Sequence, residues 1–206
     1  MSTLLSELRR ERNGAVADAM RFYGKGYGLN LGVSIPAIKQ IAADFPQDHG
    51  FAEFLYRQDV RELKIAALRL AEPDRVTPDS FGFWASGIIN SEMAEQAAMA
   101  LLCKIGCADE LLAAWCDDGG QNILTAYSAM LAVSRNGDAA PEKTLAAIEK
   151  LMEGIDDNRL IGQGIVAAVV SMHERAPERT ASLTERIKQM NTPLAGYVAE
   201  ELSWRI

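Results

Sequence analysis

MRFYGKGYGLNLGVSIPAIKQIA, residues 20–42, and DVRELKIAALRL, residues 59–70, decide the fold. In the first stretch Ser34 can accept backbone N–H groups as a helix cap. Ile35 and Pro36 then sit in the first turn, where a missing proline N–H costs nothing. Ile38, Ile41 and Ala42 follow at helical spacing and face inward. In the second stretch Asp59 caps a helix whose Leu63, Ala66, Ala67 and Leu70 form one apolar stripe, and Pro73 ends it. Between the two, His49 to Arg57 reads as a short helix. Upstream, Leu4, Leu5, Leu8, Val16 and Met20 fall on one side of a single first helix.

The same pattern runs to the end of the chain. Further helices are predicted over 78–88, 91–105, 108–116, 121–134, 141–153, 158–174, 178–190 and 193–204. They are separated by Pro73, Pro78, Gly106, Gly119-Gly120, Gly137, Pro141, Gly154, Pro177 and Pro193. Ile165 to Val170 is rich in β-branched residues, but its apolar character fills a window of helical length, so it reads as a buried helix. No hairpin signal is present. The expectation is all-α: about twelve helices in antiparallel pairs recurring roughly every 25–40 residues, the spacing of a HEAT- or armadillo-like superhelix. No composition break divides it, so residues 1–206 read as one domain.

Half of the 206 residues are hydrophobic (49%) and few are aromatic (7%), which suits close helix packing. The net charge is −7 and is uneven. Between Val76 and Ala132 there is one basic residue, Lys104, against seven acids. Such a balance keeps a chain soluble and slows its approach to nucleic acid and anionic lipid. Ile161 to Met172 is too short to span a bilayer. Met1 to Arg12 lacks an apolar signal region, so a cytoplasmic chain is expected. Cys103, Cys107 and Cys116 have no disulfide framework spacing, and His49 and His173 lie in charged, exposed-looking stretches. Neither metal nor cofactor is expected.

The order of these pieces resembles the N-terminal part of the DNA alkylation repair family, the HEAT-like-repeat alkylpurine DNA glycosylases. What carries it is the loop into Leu31-Gly32-Val33, Pro36 opening a helix that ends in Ile38-Lys39-Gln40-Ile41, and then Asp59 to Leu70. The resemblance is strongest over residues 15–85. It implies hydrolysis of the N-glycosidic bond of a cationic alkylated purine in duplex DNA. That chemistry needs a carboxylate beside the developing oxocarbenium ion and aromatic faces that favour the cation. The resemblance also implies an aromatic residue and an Asp one helical turn apart in a groove.

The chain departs from that pattern. Phe81, Phe83 and Trp84 stand near the matching place, but the carboxylate expected four residues on is replaced by Ile88. Glu92 lies eight residues from Trp84, about 12 Å along an unbroken helix. After Trp115, where the family offers Trp and paired arginines, this chain has Gln121 to Tyr127. Another groove tryptophan is missing from Gln163 to Val170. No catalytic residue is assigned.

The binding candidates are Trp84, Phe83, Tyr27, Lys39, Arg61, Lys64 and Trp115. Trp84 is singled out because Phe81, Phe83 and Trp84 cannot all face inward on one turn; the alternative for Trp84, Trp115 and Trp204 is that each is core. Arg57, Arg61, Lys64 and Arg69, with Lys39, form a stripe for phosphates or else a solvated face balanced by Glu53, Asp59 and Glu62. The run from Gly24 to Gly28 lacks the features of a P-loop. It reads as an interhelical loop from which Lys25 and Tyr27 could touch a ligand. Three functions follow. One is a family member that lacks the standard glycosylase site and binds DNA weakly, or a protein or small ligand, on its concave face. The second is a glycosylase using Glu92 or Glu95 through a helix break near Gly87. The third is a protein–protein interaction scaffold.

Overall fold

Ser34 accepts the Ala37 N–H at 3.3 Å and opens a helix at Ile35, with Pro36 in its first turn. The computed structural model describes residues 2–24, 26–117 and 122–206; Lys25, Gly119, Gly120 and Gln121, which the sequence reading used, lie outside them. Thirteen α-helices occur among the described residues: α1 (Ser2–Arg10), α2 (Gly14–Phe22), α3 (Ile35–Ala43), α4 (His49–Tyr56), α5 (Arg61–Leu70), α6 (Phe81–Ser86), α7 (Ser91–Ala100), α8 (Ala108–Cys116), α9 (Ile123–Val133), α10 (Pro141–Gly154), α11 (Arg159–His173), α12 (Pro177–Gln189) and α13 (Pro193–Ser203). There is no strand among them, only an isolated bridge between Leu29 and Val60.

The helices form two rows. Helices α3, α5, α7, α9, α11 and α13 stack side by side, and α4, α8, α10 and α12 each pack as the partner of the next helix in the first row. Short α6 belongs with the second row: Trp84 touches His49 and Tyr56 on α4, and Phe81 touches Trp115 on α8. The buried apolar residues, from Leu4 to Leu202, form one contiguous cluster between the rows. Helix α9 is buried from Thr125 to Val133, as expected of a helix with neighbours on several sides. Gly164 brings α11 close to it; a Cβ there would lie 2.7 Å from Met130 Cε.

Three local expectations are corrected. The first predicted helix is two, because Asn13 stops α1 and caps α2 by accepting the Val16 N–H at 3.2 Å; Val16 then falls on an exposed side. Asp59 does not cap α5: Val60 occupies that position and the Asp59 carboxylate accepts the Gly28 N–H instead. His49 is buried rather than exposed, with its ring edge-on to Trp84 at 5.8 Å between centroids. No helix among the described residues is long and apolar enough to cross a membrane, and no group of three or more His, Cys, Asp or Glu that could hold a metal occurs among them.

Candidate nucleic-acid interface

The chain between α2 and α3 has no sheet to satisfy its backbone, and buried N–H and C=O groups need partners. It finds them on the first turn of α5. Leu29 donates to the Asp59 carbonyl at 2.9 Å, and the Arg61 N–H returns a bond to the Leu29 carbonyl at 2.9 Å. The Glu62 carboxylate, wholly buried, accepts from Leu31 at 3.1 Å and Val33 at 3.2 Å. An acid in the first turn of α5 also suits the positive end of the helix dipole. Gly32, at φ +72°, makes the turn possible; a Cβ there would sit 2.0 Å from the Asn13 carbonyl oxygen.

Arg61 ties this loop to α7. Its guanidinium donates to the Val33 carbonyl at 2.8 Å and to Glu62 at 2.9 Å. It grips Glu92 with two further bonds, Nε to Oε2 at 2.8 Å and Nη2 to Oε1 at 2.7 Å. The Tyr27 hydroxyl donates to the same Glu92 and also lies 3.2 Å from Asn90 Oδ1, which caps α7 by accepting the Met93 N–H. Burial pulls the Arg61 guanidinium down from its ordinary range, but Glu92 and Glu62 outweigh it and hold it above that range. Burial first, and then Glu92, push the Tyr27 phenol up. Glu92 is therefore committed as an acceptor on both oxygens.

One turn further along α7, Glu95 is exposed. The Tyr127 hydroxyl on α9 reaches it at 3.4 Å, and burial together with Glu95 pushes the Tyr127 phenol up to about 12. Gln96 accepts from Arg69 at 3.0 Å. Beyond Arg69, at the final turns of α3, α5 and α7, lies a cleft of about 520 Å³ lined by Lys39, Phe45, Gln47, Arg69, Met99 and Lys104 among others.

The seven binding candidates divide between the rows. Tyr27 and Arg61 meet at Glu92, where Arg61, expected on a phosphate-facing or solvated stripe, is 2% exposed. Lys64 donates to the Tyr56 carbonyl at 2.7 Å, and its ammonium stands over the Tyr56 ring. Lys39 is exposed on α3. Trp84, Phe83 and Trp115 lie in the other row. Trp84 is 0% exposed, packed on Tyr56 and Phe83, with the Tyr56 hydroxyl bonded to its carbonyl at 2.8 Å. Phe83 is half-buried beneath the Arg57 guanidinium, 4.6 Å from the ring centre. Trp115 is buried against Phe81, and Ile88 is buried as well. Trp204 alone of the three tryptophans is open to solvent, 84% exposed. The sequence reading missed the joining roles of Glu62 and Asn90. Asn90 standing three residues before Met93, ahead of an alanine-rich helix, was the available signal.

A solved structure with 15% sequence identity superposes with a TM-score of 0.73, covering 98% of this chain and 94% of its own. It is described as belonging to "A new family of proteins related to the HEAT-like repeat DNA glycosylases with affinity for branched DNA structures". The stacked helix pairs are thus a HEAT-like repeat fold. No curated protein matches the sequence. The sequence profile of the family described as DNA alkylation repair enzyme matches residues 4–177. With its helix pairs and most of its length accounted for in this way, the chain belongs to the DNA alkylation repair enzyme family.

Proposed function

We propose that this chain is a DNA-binding member of the family that does not excise bases. The observation that carries the reading is the state of Glu92: Arg61 takes both of its oxygens and Tyr27 adds a third bond. A carboxylate held this way fastens α7 to α5 and the preceding loop, and it is not free to approach a sugar. The burial of Trp84 and Ile88 supports the same reading, since neither can present a side chain to a damaged nucleotide. The affinity of a structural relative for branched DNA supports nucleic acid as the partner.

The binding is electrostatic and weak. The cleft cations Lys39, Arg69 and Lys104 could neutralise three phosphates, which gives a slope of about −3 in log affinity against log salt. Fluorescence anisotropy with a labelled four-way junction and a linear duplex of equal length tests this. Preference for the junction, fading toward physiological salt, is expected. No binding to either DNA at low salt overturns it.

A second reading rests on Glu95, an exposed carboxylate on the same helix within reach of the Tyr127 hydroxyl. In that reading the chain is a glycosylase and Glu95 stabilises the developing cation. Release of alkylated purines that Glu95→Gln abolishes would establish it.

A further inference from the structure

We infer that the cleft at the ends of α3, α5 and α7 seats the phosphoryl group of a nucleotide, with Phe45 and Met99 as apolar surface for the attached sugar or base. This deepens the DNA-binding reading by naming where a phosphate sits. The cleft holds about 520 Å³, and three cations line it, Lys39, Arg69 and Lys104, with no acid among the lining residues. Lys104 is the one basic residue between Val76 and Ala132, so the sole cation of the acidic stretch is spent here.

Arg69 gives the strongest argument. Its hydrogen-bond partners are neutral: the Gln96 side-chain oxygen at 3.0 Å and the Ile65 carbonyl at 3.4 Å. Among the described residues it makes no ion pair, nor do Lys39 and Lys104, while Arg61, Arg57 and Arg75 in the same half of the chain all do. Burial pulls the Arg69 guanidinium down from its ordinary range, yet an arginine does not lose its proton in a protein. The guanidinium is half-buried, and the part of its charge that is shielded from water has no anion to offset it. A phosphoryl group accepts from a guanidinium in bidentate fashion and suits this position.

A competing role for the three cations is to offset the helix C-termini that frame the cleft. Each such terminus carries roughly half a negative charge, so three supply about −1.5. Three full positive charges exceed that, and the surplus favours an anion.

The test uses calorimetry and backbone amide NMR on the full chain, titrated with 2′-deoxyadenosine 5′-monophosphate, with deoxyadenosine, and with short single strands carrying or lacking a 5′-phosphate. Two variants accompany the wild type: Lys39→Gln/Lys104→Gln, which alters exposed side chains only, and Arg69→Met, which keeps the apolar stem. The expected result is saturable monophosphate binding that shifts amide signals around Lys39, Arg69 and Met99. It should exceed deoxyadenosine binding by at least about tenfold and fall at least about tenfold in both variants, since the charge supplies most of the affinity. Arg69→Met should melt close to the wild type, because the half-buried charge lost with the side chain offsets its bonds to Gln96 and the Ile65 carbonyl. Equal binding of deoxyadenosine and the monophosphate overturns the inference, as does unaltered monophosphate binding in the variants.

Strand binding that weakens along with the monophosphate identifies DNA as the source of the phosphate. Weakening of the monophosphate alone identifies a free nucleotide. If the variants bind DNA like the wild type and no monophosphate binds, the cleft assignment falls and the DNA-binding reading survives. Monophosphate binding in a chain that binds no DNA gives the reverse.

Discussion

Arg61 and Glu92, thirty-one residues apart in sequence, form a two-point ion pair at 2.8 and 2.7 Å that joins the start of α5 to the first turn of α7. The pair is nearly dry, with the Arg61 side chain 3% and the Glu92 side chain 13% exposed. Glu62 and Tyr27 complete it, so one guanidinium organises a loop and two helices. The arrangement explains why Arg61, which the sequence places on a basic stripe with Lys64 and Arg69, is not an exposed cation.

Removing that guanidinium takes from Glu62 and Glu92 the ion pair that holds their carboxylates at the α5–α7 junction. Arg61→Met is expected to lower the unfolding free energy by about 3–5 kcal/mol, the range for breaking one side of a buried pair. Urea unfolding followed by circular dichroism measures it. A loss under about 1 kcal/mol would mean that the pair contributes little to holding the loop against α7.

The loop itself depends on Gly32. At φ +72°, with a Cβ position 2.0 Å from the Asn13 carbonyl oxygen, Gly32→Ala meets both backbone strain and a collision with backbone that has no side chain to move aside. Strain in the left-handed region alone costs about 1–2 kcal/mol. The collision raises the expected loss above about 2 kcal/mol, together with faster amide exchange at Leu31 and Val33, because the Glu62 bonds loosen.

Trp84 fills the core of the second row, so its truncation is a packing event. Trp84→Ala is expected to cost about 3–5 kcal/mol. The milder Trp84→Phe should lower the melting temperature while leaving junction binding by the folded protein within about twofold of wild type. A selective loss of DNA binding without a change in stability would place this residue at the interface.

Alkaline pH should unfold the protein early. Tyr27, Tyr56 and Tyr127 are all pushed up, chiefly by burial, Tyr127 to about 12. Each folded-state value lies above the unfolded one, near 10.0. The neutral phenol is therefore favoured by the fold, and the unfolded chain binds fewer protons above that point. Stability is full below the unfolded value and declines as pH rises from about 10 through 12. Tyr127→Phe should reduce the slope of that decline, read from melting temperature against pH. An unchanged slope would mean that the hydroxyl is already in water.

Much of the fold was legible because helix signals are local. Ser34 and Pro36 announce α3, and the β-branched run from Ile165 to Val170 lies within a buried helix, as its length required. The break at Asn13 was missed because Leu4, Leu8 and Val16 keep a helical phase across it, and phase alone does not report a cap. The site was less legible because its partners are distant. Arg61, Lys64 and Arg69 share a helix and look like one stripe. Which of them meets an acid, a carbonyl or open solvent is set by α4 and α7, and no spacing within α5 reports that. Trp84 was misplaced for a related reason: three aromatics on one short helix cannot all point one way, but Tyr56 and His49 from α4 close over the side where Trp84 lies.

Whether Glu92 serves structure in a chain that does not excise bases is decided by incubating the protein, in excess and in catalytic amounts, with duplex DNA bearing methylated purines and measuring free base by chromatography. No release above the spontaneous rate is expected, for the wild type and for Glu95→Gln alike. Multiple turnovers by the wild type, lost in Glu95→Gln, would contradict it.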